Sequence, residues 1–248
     1  MNPAELANIA RLEHSFWWYT GMRTILFGLL DPVLGTELRG KALDAGCGTG
    51  SMALELERRY GAKLYPTDVA GRAIELARLT SIPGLTQSDI TALPYASRTF
   101  ESAVCLDVLV HLAPGCERKA VAELARVLKV NGILVLRVAA LNSLRSRHSQ
   151  FILEFQRFTR KRLCRLLGEN GFAILRCTYA NATLLPLALA KFRILEPLLR
   201  KPPASGVAEI PPWVNSLFER VLRIEARWLA KGHNLPLGQS LIVIARKL

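Results

Sequence analysis

Two kinds of residue in this 248-residue chain have types and spacings that could do chemistry. The first is a glycine-rich run, Lys41-Ala-Leu-Asp-Ala-Gly-Cys-Gly-Thr-Gly-Ser51, in which Gly46, Gly48 and Gly50 follow a short apolar stretch interrupted by Asp44 and closed by Ala45. Glycines at such places let the backbone take unusual dihedrals and approach a ligand closely. A strand, a tight turn and a helix is the ligand-binding geometry of open α/β sheets, in which the ligand lies beyond the C-terminal strand ends. The dinucleotide fingerprint GxGxxG seats a pyrophosphate on the helix N-terminus. Here the spacing is GxGxG, and Asp44 would repel a pyrophosphate but suits a cationic amino-acid ligand. The second kind is histidine, whose pKa near neutrality suits a general base for a hydroxyl or amine nucleophile. Of His14, His111, His148 and His233, two follow expected strands at the ligand-binding edge: His111 and His148. Either is a candidate base; the competing reading for each is a packed or solvated imidazole.

The elements that must position these residues are legible from periodicity. Helices are expected over 4–14, 21–30, 51–59, 71–80, 118–128 and 160–169, and strands over 42–45, 63–65, 100–106, 133–138, 172–178 and 241–245. Asn131-Gly132 reads as a turn, and Arg137 is the one polar residue in the strand after it. Residues 184–232 read as helices interrupted by Pro186, Pro197, Pro202-Pro203 and Pro211-Pro212. Strands alternating with helices over short links imply a parallel sheet covered on both faces. The long segment before the last strand then reads as an insertion with a functional or lid role.

Composition narrows the partners. Half the residues are hydrophobic, which specifies a globular chain. Cysteines 47, 105, 116, 164 and 177 are scattered without a CxxC pair, so no zinc site or disulfide framework is expected. No His/Asp/Glu cluster has ligand spacing, and no metal is expected. The N-terminus lacks an apolar signal-peptide core, and the expected location is cytoplasmic. The net charge of +13 is uneven: residues 137–201 hold 13 Lys/Arg against 3 Glu, a net of +10. A solvated basic surface, an anionic substrate and a lipid headgroup are all compatible with it. Nucleic acid is not favoured, because no recognition motif accompanies the charge.

Asp44-Ala-Gly-Cys-Gly-Thr-Gly50 resembles motif I of the class I S-adenosylmethionine-dependent methyltransferases. The resemblance continues through Asp68, Ser88-Asp89-Ile90, Leu106-Asp107-Val108-Leu109 and Leu128-Lys-Val-Asn-Gly-Ile-Leu134, covering residues 40–138. Phe16-Trp-Trp-Tyr-Thr-Gly-Met-Arg23 is similar to the HWWFxGRR opening of one bacterial branch of that family. Ser146-Arg-His148, Phe158-Thr159 and Gly238-Gln-Ser-Leu241 resemble the same branch. The chain departs from the branch at Val110, where the motif has Glu, at Ser149, where it has Asp, and at Glu154 to Phe158, where a His and a Tyr are replaced.

The resemblance implies a Rossmann-like, seven-stranded, mostly parallel sheet with helices on both faces. It implies one domain: an N-terminal helical extension over 1–38, a cofactor core over 39–180, a helical insertion over 181–236 and a last strand over 237–248. The implied cofactor is S-adenosyl-L-methionine, leaving as S-adenosyl-L-homocysteine. The implied cofactor-binding residues are Asp44, Ala45, Gly46, Gly48, Gly50, Asp68, Val69, Asp89, Ile90, Leu106, Trp17 and Arg23. Asp68 would meet the ribose hydroxyls, and Asp89 with the next amide the adenine; both acids also read as helix caps. Trp17 and Trp18 read either as core packing or as a lid over the cofactor. The implied reaction is methyl transfer to oxygen or nitrogen of a small-molecule intermediate, sugar- or lipid-linked among the options. The alternative is a non-catalytic scaffold subunit that binds the cofactor. Residues 184–201 are apolar with interrupting charges, which suits a lid helix or peripheral membrane contact better than a membrane span.

Overall fold

The computed structural model describes residues 2–34, 40–199 and 202–248. The expected boundary at 38/39 and the basic end of the 184–201 segment, Arg200 and Lys201, lie outside them. A seven-stranded sheet has the order β3-β2-β1-β4-β5-β7-β6. Its strands are β1 Lys41–Ala45, β2 Lys63–Asp68, β3 Thr86–Gln87, β4 Phe100–Leu106, β5 Leu128–Ala139, β6 Phe172–Ala180 and β7 Ser240–Lys247. All neighbours are parallel except β7, which runs antiparallel to both β5 and β6.

The helices are α1 Pro3–Leu12, α2 Trp17–Leu34, α3 Ser51–Tyr60, α4 Gly71–Arg78 and α5 Cys116–Val127, then α6 Arg147–Phe151 and α7 Arg160–Glu169. The insertion supplies α8 Leu185–Ala190, α9 Glu196–Leu199 and α10 Pro212–Ala230, with a π-helical turn over Lys191–Leu195. Strand side chains alternate between two cores. Ile133 and Val135 face α2 and α10, whereas Leu134 and Leu136 face α5 and α7. On α2 the apolar face is Met22, Ile25, Leu26, Leu29 and Leu30, all fully buried. Burial of such side chains contributes about 1.5–3 kcal/mol each. The α2–α10 contact is close because Gly21 has no side chain; a Cβ there would meet Leu222 Cδ1 at 2.4 Å.

Several elements differ from the sequence expectation. β2 runs through Pro66 rather than stopping at 65; its outer neighbour β3 pairs only from Thr67, so the missing N–H interrupts no ladder on that side. β3 itself has two residues and leaves no periodic signal. The Asn131-Gly132 turn is instead a bulge inside a longer β5, where the pairing shifts between Phe100 and Ser102 and Asn131 takes φ 65°. α2 begins at Trp17, not at 21, and so includes the aromatic run. α6, absent from the expected helices, is started by a capping box in which Ser149 N donates to Ser146 Oγ at 3.3 Å and Ser146 N to Ser149 Oγ at 3.3 Å.

Candidate active site

The glycine loop leaves β1 at the C-terminal edge of the sheet. Gly46 N and Cys47 N both donate to Thr67 O, at 2.7 and 2.9 Å. Gly46 has φ 88°, and a Cβ there would lie 2.1 Å from Val108 Cγ2, so this position excludes any side chain. Around Gly48 nothing comes within 4 Å of an added Cβ, and its N–H donates to Asp68 Oδ2 at 3.0 Å. Asp68 Oδ1 accepts from Ala70 N at 2.9 Å. Asp68 thus splints the loop to the end of β2 and keeps lone pairs on both oxygens. Asp89 Oδ1 caps its own turn by accepting from Thr91 N at 2.8 Å and Thr91 Oγ1 at 2.9 Å. Ile90 is buried beneath it, while Val69 is 63% exposed at the rim.

A cavity of about 460 Å³ opens beside this loop, over the C-terminal ends of β1, β4 and β5. That volume is in the range of small-molecule sites. The structure brings Trp17, Arg23, Asp44, Gly46, Gly48, Leu106, His111 and His148 onto its wall. Ala45, Gly50, Asp68, Val69, Asp89 and Ile90 are not part of that wall; they lie at or beside the neighbouring ends of β1, β2 and β3. α1, the aromatic run and residues 191–207 of the insertion complete the enclosure.

Asp44 is the most constrained group in this site. It is buried, and its Oδ2 has no hydrogen-bond partner. Burial, reinforced by the nearby charge of Asp68, raises its pKa to about 7. A cationic ligand group beside Asp44 would restore the charged form. S-adenosyl-L-methionine carries such an ammonium group, and the open backbone at Gly48 and the acid at the end of β2 suit the rest of it.

The two histidines are held in opposite tautomers. His111, on a short 3₁₀ turn after β4, has Nδ1 at 3.1 Å from Leu153 O. A carbonyl only accepts, so Nδ1 carries the proton and Nε2 the lone pair. Burial holds the His111 pKa below its usual value. His148 Nδ1 accepts from Gly206 N at 2.9 Å, which puts the proton of the neutral ring on Nε2. Burial lowers its pKa as well.

Trp17 and Trp18 combine packing with enclosure. Trp17 meets Phe218 edge-on at 5.2 Å and its backbone N–H donates to Asn215 Oδ1 at 2.9 Å, fixing α2 to α10. Trp18 lies under the Arg137 guanidinium at 5.1 Å. Arg23 lines the wall, but its guanidinium is ion-paired with Glu55 and donates to Glu13 O at 2.8 Å. Sequence reasoning missed the Arg137–Asp107 pair, 2.7 Å apart across the ends of β5 and β4. Its signal was available: Arg137 is the lone charge in an apolar strand. It also missed Glu5, Glu13 and Tyr19 on the same wall. Glu13 Oε2 accepts from Thr49 Oγ1 at 2.8 Å and so joins the N-terminal extension to the glycine loop. Burial, more than the Glu5 charge, keeps the Tyr19 phenol protonated. Of the positions that depart from the resemblance, Val110 and Glu154 line the cavity and two others have structural tasks. Ser149 closes the α6 capping box and accepts from Arg157 at 3.1 Å, and Phe158 is fully buried. Among the described residues no group of three His, Cys, Asp or Glu side chains could hold a metal ion.

The sheet order, the single antiparallel strand and the glycine loop define a class I methyltransferase fold, whose methyl donor is S-adenosyl-L-methionine. Residues 43–136 match the family model of a methyltransferase domain. The chain is 26% identical over 159 residues to an O-methyltransferase of Pyrenophora dematioidea, covering 58% of each chain. It is 33% identical over 95 residues to the mitochondrial arginine-hydroxylase NDUFAF5 of Mus musculus, covering 38% of this chain and 27% of that one. The chain therefore spans well under two thirds of the length of these relatives. A solved structure of a putative sarcosine dimethylglycine methyltransferase from Galdieria sulphuraria superposes with TM-score 0.60 at 18% identity, covering 91% of this chain and 86% of that one. At that identity the likeness concerns the fold.

Proposed function

We propose that this protein transfers a methyl group from S-adenosyl-L-methionine to a hydroxyl or amine of a small-molecule acceptor, with His111 as the general base. When bound, the cofactor supplies the methyl as an electrophile on a sulfonium, so the protein's work is placement and proton removal. Asp44 would hold the cofactor's ammonium, with Gly46 and Gly48 against its amino-acid end and Leu106 beside it. Asp68, Val69, Asp89 and Ile90 would hold the ribose and adenine, with Ala45 and Gly50 shaping the loop. The observation that carries the reading is the His111 tautomer. Its Nδ1–H is committed to Leu153 O, so Nε2 can take the acceptor's proton within a wall shared with the glycine loop. His148 offers Nε2–H instead, which suits an orienting donor rather than a base.

The test is methyl transfer from labelled cofactor to fractionated small-molecule extracts, then to the isolated acceptor. His111→Gln is expected to lower the transfer rate by about 10²–10⁴-fold with cofactor affinity unchanged. An equal rate in the variant would remove the base assignment. Bound cofactor with no turnover on any fraction, together with a stable protein partner, would favour the scaffold alternative. The relative described as an O-methyltransferase supports methyl transfer to oxygen, whereas the one described as an arginine-hydroxylase supports the alternative without methyl transfer. The Phe16–Arg23 run supports placement in the bacterial branch it resembles, with the extension, core, insertion and last strand working as one domain.

The outer face of α10 supports peripheral contact with an anionic membrane. Trp213, Leu217, Ile224 and Trp228 are exposed at helical spacing, 71%, 49%, 64% and 52%. Arg220, Arg223, Arg227 and Lys231 flank them. Exposed tryptophans beside a cationic face are the composition of interfacial helices. No helix among the described residues is long and apolar enough to cross a membrane. Cosedimentation with phosphatidylglycerol vesicles, reversed by salt and reduced in Trp213→Ala/Trp228→Ala, is the expected outcome; no sedimentation would remove this contact.

A further inference from the structure

The acceptor half of the cavity contains one unmet demand. Glu5, in the first turn of α1, is 1% exposed and lies on the cavity wall. Its Oε2 accepts a long bond from Asn8 Nδ2 at 3.3 Å, and its Oε1 has no partner. Burying a carboxylate without donors is costly, because the group gives up its hydration for nothing. The molecule shows how it treats a buried glutamate with a structural task. Glu225 accepts from the backbone N–H groups of Asn181, Ala182 and Thr183 and from the Thr183 hydroxyl, all within 3.0 Å. Glu5 has no such cradle.

Its neighbours do not repair this. His148 Nδ1 is 3.8 Å from Glu5 Oε1, but its lone pair already accepts from Gly206, so two acceptors face each other. Lys191 is exposed and makes no ion pair within 4.0 Å among the described residues. Two cations of the wall are neutralised within the protein, Arg137 by Asp107 at 2.7 Å and Arg157 by Glu154 at 2.6 Å, and Arg147 Nε is turned to Pro202 O at 2.6 Å. The other orphan carboxylate oxygen, on Asp44, is answered by the cofactor in the function proposed above. What remains is an acceptor subsite with a buried carboxylate oxygen, Glu5 Oε1, that no donor among the described residues meets.

We propose that Glu5 is the specificity-determining residue of this site, reading a hydrogen-bond donor, a hydroxyl or an ammonium, on the acceptor. The inference rests on the reading of this cavity as the acceptor site. It sets an acceptor preference at Glu5 itself, apart from Arg147 and Lys191 elsewhere on the wall: an acceptor that presents a carboxylate or phosphate at Glu5 is repelled. The helix N-terminus around Glu5 eases the charge while the subsite is free. An acceptor donor then completes a charge-assisted bond inside the low-dielectric cavity.

The test uses the full chain saturated with S-adenosyl-L-homocysteine and three phenols alike except at the far end: tyramine, tyrosol and 4-hydroxyphenylacetate. Calorimetry is expected to show tyramine or tyrosol binding at least about tenfold more tightly than 4-hydroxyphenylacetate. Glu5→Gln is expected to shrink that preference to about twofold, with homocysteine-product affinity unchanged and a melting temperature equal to or above that of the wild type. Equal binding of the three phenols by the wild type, binding of none of them, or an unchanged preference in Glu5→Gln would each overturn the assignment. The wild-type panel decides the matter even where the variant folds poorly. Failure to bind S-adenosyl-L-homocysteine would instead overturn the function proposed above, so the two failures are distinct.

Discussion

The two halves of the cavity are built by different means. The cofactor edge is made of consecutive residues at the ends of adjacent parallel strands and is held by backbone bonds, such as Gly46 and Cys47 on Thr67 O. The acceptor side is assembled from α1, α6 and the insertion, segments nearly the whole chain apart. Its ties are side-chain contacts, Asn2 Nδ2 to Phe151 O at 3.1 Å, Arg11 to Glu209 at 3.0 Å, Arg147 Nε to Pro202 O at 2.6 Å and Gly206 N to His148 Nδ1, with a small apolar cluster of Leu12, Phe16 and Val207. Sheet-edge backbone bonds open only with the sheet, whereas a roof held by surface contacts opens locally at low cost. In the function proposed above, the first half is the fixed seat and the second the part that opens and selects.

That contrast breaks most sharply at the chemistry, where the His111→Gln loss of about 10²–10⁴-fold in transfer must come without loss of cofactor binding. Glycine substitution sharpens it next. Gly46→Ala forces a Cβ into Val108 at a positive φ and is expected to cost about 2–4 kcal/mol of stability, read by denaturant unfolding. A roof substitution such as Arg11→Ala, at an exposed ion pair, is expected to cost at most about 1 kcal/mol while raising the proteolysis rate of α1.

Between these effects lies a pH signature of the seat. Asp44 has its pKa raised from 3.8 to about 7 in the folded protein. Its charge is a burden above pH 7, and the folded state gains stability as pH falls from 7 towards 3.8. A cofactor ammonium favours the ionised form, so cofactor affinity is expected to fall by about tenfold per pH unit below 7, and to lose that slope in Asp44→Asn. His111 behaves in the opposite sense for stability. Its folded pKa is depressed by burial, so the fold loses stability as pH drops below 6.5. The corresponding limb of the transfer rate should also lie below 6.5, where the ring begins to protonate.

The contrast also explains what the sequence made legible. The strand–turn–helix frame of the seat was readable because strand, acid and glycines are contiguous from Asp44 to Gly50, whereas Asp68, assigned by resemblance, lies at the end of β2 and joins the loop through the Gly48 amide. The roof was not, because its pairs depend on tertiary closure. Nothing local to Glu5 says that its helix face turns inward, although Leu6, Ile9 and Leu12 mark an apolar stripe beside it. Nothing local to Ser149 says that it closes a capping box and braces Arg157. β3 escaped because two residues carry no period, and the β5 bulge because Asn-Gly signals a turn whether or not pairing continues through it. Arg137 was visible as an anomaly, but its partner Asp107 lies one strand away and only the sheet order joins them.

The most direct test of the central claim is calorimetric titration of the protein with S-adenosyl-L-methionine and S-adenosyl-L-homocysteine, beside Asp68→Ala. Asp68 holds both the Gly48 and Ala70 amides, so its loss loosens the seat as well as removing a ligand contact. The account predicts micromolar binding to the wild type, about −8 kcal/mol, weakened at least about tenfold in the variant. Absence of binding to the wild type would contradict it, because the glycine loop and the orphan acid of Asp44 would then serve no cofactor.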